Sequence, residues 1–418
     1  MIGVATRIDD VRLRGILDSR AEVTVEAEVD LGGYPGRGSS PVAIAPGRLE
    51  RRRREPPHLG PLPGPYRDVL VASLVGQVVN GQRELDALLD RLDAEHGLGS
   101  AVTLAVSLAG ARAAAAQQHQ SLHEYLAALA GTAPALPRLL VNVFSGGIHL
   151  PGATNSFQQV MVIPHTGELV GDIEVARAVW SAAADLARRE LGALPLSASS
   201  GLIAPASSGE QLDMLAAAVA ASGHEDVVSF GVDVAAEHLR TPDGRYRLGP
   251  RTLTSGELAA VLADLAARHP LEYLEDPFDP ADVDAWRSLR GRLPGHVRVV
   301  GDDLFATDAR RVSAGLADGI LLKPSQAGTL AATLDAAAAA RAEHMWLGVS
   351  HRSGETDDTA MCDLAVALGA ELIKVGGPRG DRLVKYNQLL RLAESVPAAT
   401  SGRTDHVRSS VVPREKNR

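Results

Sequence analysis

Residues 11 to 31, "VRLRGILDSRAEVTVEAEVDL", alternate polar and apolar positions after a Gly-containing start, the pattern of a half-buried antiparallel hairpin. From about residue 67 the spacing turns helical, in "ELDALLDRLDAEHG" and in the Ala-rich "AVTLAVSLAGARAAAAQQHQSLHEYLAALA", until Gly, Pro and Thr break the run. Strands followed by helices predict a small α+β unit over residues 1–130. Beyond Pro137, short β-rich runs ("RLLVNVF", "VVSFGVDV", "VRVVG", "GILLK", "MWLGVS", "ELIKVGG") alternate with Ala/Leu-rich helical stretches. Such alternation calls for a parallel sheet closed or covered by helices. Charged residues cluster where these runs end, and a (β/α) barrel over 137–400 builds its active site at that end. The polar, unpatterned residues 401–418 are expected to be a disordered tail.

Composition narrows the functional classes. A chain of 418 residues with 45% hydrophobic content can bury a large core. Its net charge of −9 argues against a general binder of nucleic acid or anionic membrane, which needs concentrated positive potential. Cys362 is the only cysteine, so neither a disulfide framework nor a cysteine-rich metal site is expected. The N-terminal stretch lacks the apolar core of a secretion signal, and no run approaches the ~18 apolar residues of a membrane span. A cytoplasmic, soluble protein is expected.

Three acids end three of the strand-like runs: Asp233 in "FGVDVA", Glu275 in "EYLEDPFD" and Asp302 in "VVGDDL". Gathered at one barrel mouth they would repel one another unless a hard divalent cation such as Mg²⁺ lay between them. Two lysines end later runs, Lys323 and Lys374, in a chain whose 42 basic residues include only four lysines. Lysine can lose its proton near a cation and a second ammonium, whereas arginine stays charged. Lys323 is therefore expected to serve as a base.

Segments from near the N-terminus to about residue 395, among them "SLAGARAAAA", "LEDPFD", "VGDDLFAT", "LLKPSQAGT", "VSHRSGETDDT" and "IKVGGPRGDRLVKYNQLLR", resemble enolase. The resemblance implies a (β/α)8-type enolase barrel with a smaller N-terminal α+β domain, and a homodimer. It implies Mg²⁺ on Asp233, Glu275 and Asp302, with Lys323 as the base removing the proton α to a carboxylate. Lys374 then helps hold that carboxylate. His351, Arg352 and Ser353 match the segment that contacts the substrate and its phosphate, and His149 matches an active-site histidine. The ene-diolate chemistry of this superfamily is a standard case of a Lys or His base working with Mg²⁺.

The leaving-group side departs from the family pattern. "ASSGLIAP" places Ser199 and Ser200 where Asp and Glu are expected, and Gln159 stands where the partner glutamate would be. A glutamine keeps hydrogen bonds but relays no proton. Ala45 replaces the serine that closes over a second metal, and Pro324-Ser325 replaces Val-Asn. Five arginines follow within residues 48 to 54, able to hold phosphate or phosphonate groups. Together these departures resemble carboxyphosphonoenolpyruvate synthase, acting on a phosphoglycerate-type substrate and a nucleotide-activated phosphonoformate. The alternatives are a divergent phosphopyruvate hydratase using another acid, such as His149 or His165, and a non-catalytic binding or scaffold protein.

Overall fold

The protein was analysed as a computed structural model that describes residues 5–44, 46–52, 58–62, 64–149, 156–192 and 194–396. The tail expected from residue 401 lies outside the described residues.

The N-terminal hairpin forms as its alternation predicts. Strand β1 (Thr6–Leu17) pairs antiparallel with β2 (Val23–Leu31), which pairs with β3 (Tyr34–Ser39). Helices Gln82–His96, Ser100–Gln117 and Leu122–Ala130 follow. The Ala-rich helix Ser100–Gln117 lies close against β3: a Cβ on Gly36 would come within 2.1 Å of the Ala109 carbonyl oxygen, so only glycine fits there. Arg112 on this helix reaches Asp358 of the second half of the chain with two contacts of 2.7 and 2.6 Å.

Eight strands then close into a barrel: β4 (Arg138–Ser145), β5 (Gln159–Pro164), β6 (Val228–Asp233), β7 (Leu271–Glu275), β8 (Arg298–Gly301), β9 (Gly319–Leu322), β10 (Trp346–Ser350) and β11 (Leu372–Lys374). Each pairs with the next, and β11 pairs with β4 to complete the circle. One expectation needs correction, because the sheet is not wholly parallel. β5 runs antiparallel to both β4 and β6. The cause is local: among the described residues between β4 and β5 there is no crossover α-helix, and without one a strand returns beside its neighbour in the opposite sense.

The barrel interior is a packed layer of Leu140, Met161, Ile163, Tyr273, Val300, Leu321 and Leu372, none more than 3% exposed. Burying each contributes about 1.5–3 kcal/mol. Trp346 closes the N-terminal end of the parallel strands, its ring covered by the Arg138 and Arg298 guanidiniums at 5.8 and 5.1 Å. Among the described residues, no helix is long and apolar enough to cross a membrane.

Candidate active site

Strand periodicity aims the site residues. Side chains alternate across a strand, so the residue two positions past an inward apolar one also faces the axis, about one layer higher. Tyr273 is followed by Glu275, Val300 by Asp302, Leu321 by Lys323 and Leu372 by Lys374. On the antiparallel β5 the direction reverses, so Gln159 precedes Met161 and arrives at the same end. Its partner across the ladder is Asp233.

These residues surround a cavity of about 60 Å³. Of the sequence-predicted residues, Gln159, Asp302, Lys323, His351, Arg352, Ser353 and Lys374 line it. Asp233 and Glu275 lie against Lys374. Its ammonium donates to Asp233 Oδ2 at 2.9 Å and to Glu275 Oε1 and Oε2 at 2.8 and 2.7 Å. Lys323 donates to Asp302 Oδ2. Ser200 departs from expectation: at φ 58° its backbone turns the side chain to the Arg379 carbonyl, 3.1 Å away, and Ser199 lines the cavity instead. The His149 side chain and Ala45 lie outside the described residues. His165 sits at the far end of β5, donating or accepting with Ser229 Oγ at 2.7 Å and Arg138 at 3.1 Å, and it does not line the cavity.

Electrostatics follow from burial and pairing. Glu275, wholly buried and beside Asp233, is pushed up to about 8 despite the Lys374 ammonium, because one cation faces two carboxylates. Burial also opposes charge on Asp302, but Lys323 outweighs it and holds the carboxyl below its ordinary value. Burial alone would lower Lys323, yet Asp302 prevails and raises it. The expected depression toward neutrality concerns a lysine beside a divalent cation, whereas a neighbouring carboxylate alone favours the ammonium. His351 is driven well below the ordinary imidazole value by burial and by Arg382, Lys374 and Lys323, so its ring is neutral.

Asp233, Glu275 and Asp302 are 2%, 0% and 6% exposed, and their hard oxygen donors on adjacent strand ends fit Mg²⁺. They do not form the tightest acidic group, because the two lysines draw them apart. Among the described residues that group is Asp276, Asp302 and Asp303, whose ligand atoms lie within 4.8 Å of one another. Asp276 is occupied in shaping the turn, accepting from the backbone N–H groups of Asp302 and Asp303 at 2.9 and 2.7 Å.

The basic segment also differs from expectation. Arg48 pairs with Glu237 and with Asp279 at 2.5 Å, and Arg51 with Asp90 and Asp93, both at 2.6 Å. Neither these nor Arg52 lines the cavity, and Arg53 and Arg54 lie outside the described residues. The residue of this segment that does face the cavity is an acid, Glu50, bound to Arg352 Nη2 at 2.7 and 3.0 Å. Sequence reading missed it because it stands inside an arginine run. Gln158, Asp303, Ile44 and His238 were missed as well. Gln158 donates to Asp233 Oδ2 at 3.3 Å.

A closed barrel with acids and lysines on the ends of successive strands is the arrangement of an enzyme of the enolase superfamily. The family described as "Enolase, C-terminal TIM barrel domain" matches residues 133–409. Enolase of Rubrobacter xylanophilus is 37% identical, covering 94% of this chain and 96% of its own length. Enolases of Pyrococcus furiosus and Natronomonas pharaonis are 34% and 37% identical over 92% and 93% of the chain, and 94% and 99% of their own lengths. The chain belongs to the enolase family. The narrower resemblance to carboxyphosphonoenolpyruvate synthase finds no support among these relatives.

Proposed function

We propose that this chain is a phosphopyruvate hydratase, a Mg²⁺-dependent lyase that removes the α-proton of 2-phosphoglycerate and expels the 3-hydroxyl to give phosphoenolpyruvate. The observation that carries the reading is the convergence of Lys323, Lys374 and Asp302 on one cavity, with buried Asp233 and Glu275 paired to Lys374. The name shared by the relatives supports it over phosphonate chemistry. So does the engagement of Arg48 and Arg51 with acids away from the cavity.

Asp233, Glu275 and Asp302 would hold the ion, with Lys323 Nζ taking the proton from C2. Bound there, Mg²⁺ supplies charge that stabilises an ene-diolate and occupies the carboxylate now paired with Lys323. Arg352 meets the phosphate, and neutral His351 offers a hydrogen bond without adding charge. Gln159 Oε1 and His351 Nδ1 are buried without partners, free to bind substrate hydroxyl or carboxylate groups. Proton delivery to the leaving hydroxide falls to His238, an imidazole on the cavity lining.

A second reading is favoured by one observation, the absence of any carboxylate on Gln159, Ser199 and Ser200 where the leaving group departs. It is the carboxyphosphonoenolpyruvate synthase type of reaction with a phosphonoformate co-substrate. Incubation of 2-phosphoglycerate with Mg²⁺ in D₂O separates the two. The hydratase forms phosphoenolpyruvate from that substrate alone, and Lys323→Arg abolishes both product and C2 deuteration. Deuteration without product, an acid's contribution of about 10²–10⁴-fold being missing, would move the assignment to the second reading.

A further inference from the structure

We infer that Glu50 is an internal competitor for the Arg352 guanidinium, a carboxylate that the substrate phosphate must displace in order to bind there. This rests on the reading above in which Arg352 meets the substrate phosphate.

Every cation on the cavity lining is already paired: Lys323 with Asp302, Lys374 with Asp233 and Glu275, and Arg352 with Glu50. The first three acids stand at or beside strand ends of the barrel and cannot leave. Glu50 is different. It belongs to a connecting segment and is tied there by the Gly47 N–H, which donates to Oε1 at 2.9 Å. Arg352 would not be disordered by its departure, because Nη1 keeps the Ser325 hydroxyl at 3.2 Å and the residue is 6% exposed.

An incoming carboxylate replaces one monoanion by another at Arg352 and gains little. A phosphate dianion brings a second charge within reach of the lysines and can displace Glu50. The pair therefore sets a cost that a phosphate-bearing ligand pays and a ligand without a phosphoryl group does not.

The test is calorimetric titration of 2-phosphoglycerate and of glycerate, the same carbon chain without the phosphoryl group, into wild type, Glu50→Gln and Glu50→Asp at fixed Mg²⁺. Glu50→Gln should bind 2-phosphoglycerate more tightly, by on the order of tenfold, and leave glycerate, which carries no group for Arg352, nearly unchanged, so that the preference for phosphoglycerate widens. Glu50→Asp keeps the charge and should keep the preference, which separates loss of charge from damage to the fold. Weaker binding of both ligands to Glu50→Gln would overturn the inference and make Glu50 a positioning residue for Arg352. An unchanged ratio would overturn it too. If no protein binds 2-phosphoglycerate, the functional reading itself falls, and the inference falls with it.

Discussion

Replacing Lys374 by methionine removes the single ammonium that stands between two buried carboxylates while keeping the length and apolar body of the side chain. Its contacts with Asp233 and Glu275 are 2.9 and 2.7 Å, and all three side chains are at most 4% exposed. At an effective dielectric near 20, each contact carries about 6 kcal/mol of gross attraction. Desolvation opposes most of that, and truncating one partner of a buried pair costs about 3–5 kcal/mol because the other charge is left alone. In a domain of this size each kcal/mol moves the melting midpoint by about 2–4 °C, so Lys374→Met in EDTA should melt about 6–20 °C below wild type. Mg²⁺ should then restore the variant more than it stabilises wild type. In the variant the ion meets two uncompensated carboxylates, whereas in wild type it must compete with the ammonium. At a hundred times its dissociation constant a bound ion adds about 2.7 kcal/mol. Thermal unfolding followed by circular dichroism, with EDTA and with Mg²⁺, reads both effects. Equal Mg²⁺-induced shifts in the two proteins would refute the argument that these acids hold the ion.

The raised Glu275 makes a pH prediction. In EDTA the folded protein keeps a proton on this group up to about 8, while the unfolded chain releases it near the ordinary glutamate value. The folded state thus binds more protons between these two values, and its stability should fall as pH rises across that window by about 1.4 kcal/mol per unit, then level off. Glu275→Gln should flatten the slope in denaturant titrations, and a slope unchanged in the variant would assign it to other groups. Homodimerisation, proposed by kinship with the family, predicts sedimentation at twice the chain mass at micromolar concentration. A monomer under those conditions would contradict it.

Much of the barrel was legible because five of its parallel strands are short apolar runs that end on, or directly before, Asp233, Glu275, Asp302, Lys323 or Lys374, so the period-2 pattern and the chemistry mark the same position. Lys323 and Lys374 stood out further in a chain that otherwise uses arginine. The reversed strand β5 was not legible from pattern alone: "QVMVIP" is apolar on both faces, which any buried strand is, whatever its direction. The signal that bears on direction is the short interval between Ser145 and Gln159, which leaves little chain for a crossover helix. Local backbone geometry hid the exchange of Ser200 for Ser199, since a positive φ at a serine leaves no mark in sequence. The partners of Arg48 and Arg51 are distant along the chain, Asp279 lying 231 residues from Arg48. A basic run therefore read as a ligand site although Arg48 and Arg51 already pair with acids of the chain itself, and the acid among them escaped notice.

The reversal of β5 has a consequence for how such a protein can change over generations. Asp233, Glu275, Asp302, Lys323 and Lys374 stand on, or one residue past, strand ends paired to neighbours on both sides, so altering their placement disturbs closure of the whole sheet. Gln159 and Ser199 are borne differently. Gln159 is the first residue of the reversed strand, where the connection from β4 arrives, and Ser199 sits in the turn between helix Leu169–Leu191 and helix Ser208–Ser222, joined to β4 by the pairing of Leu202 and Ile203 and by Ser197 Oγ against Ser145 Oγ at 2.8 Å. Substitutions and length changes in these two connections leave the ladder intact. Selection can rework the chemistry of departure on this architecture while the chemistry of proton removal stays inherited.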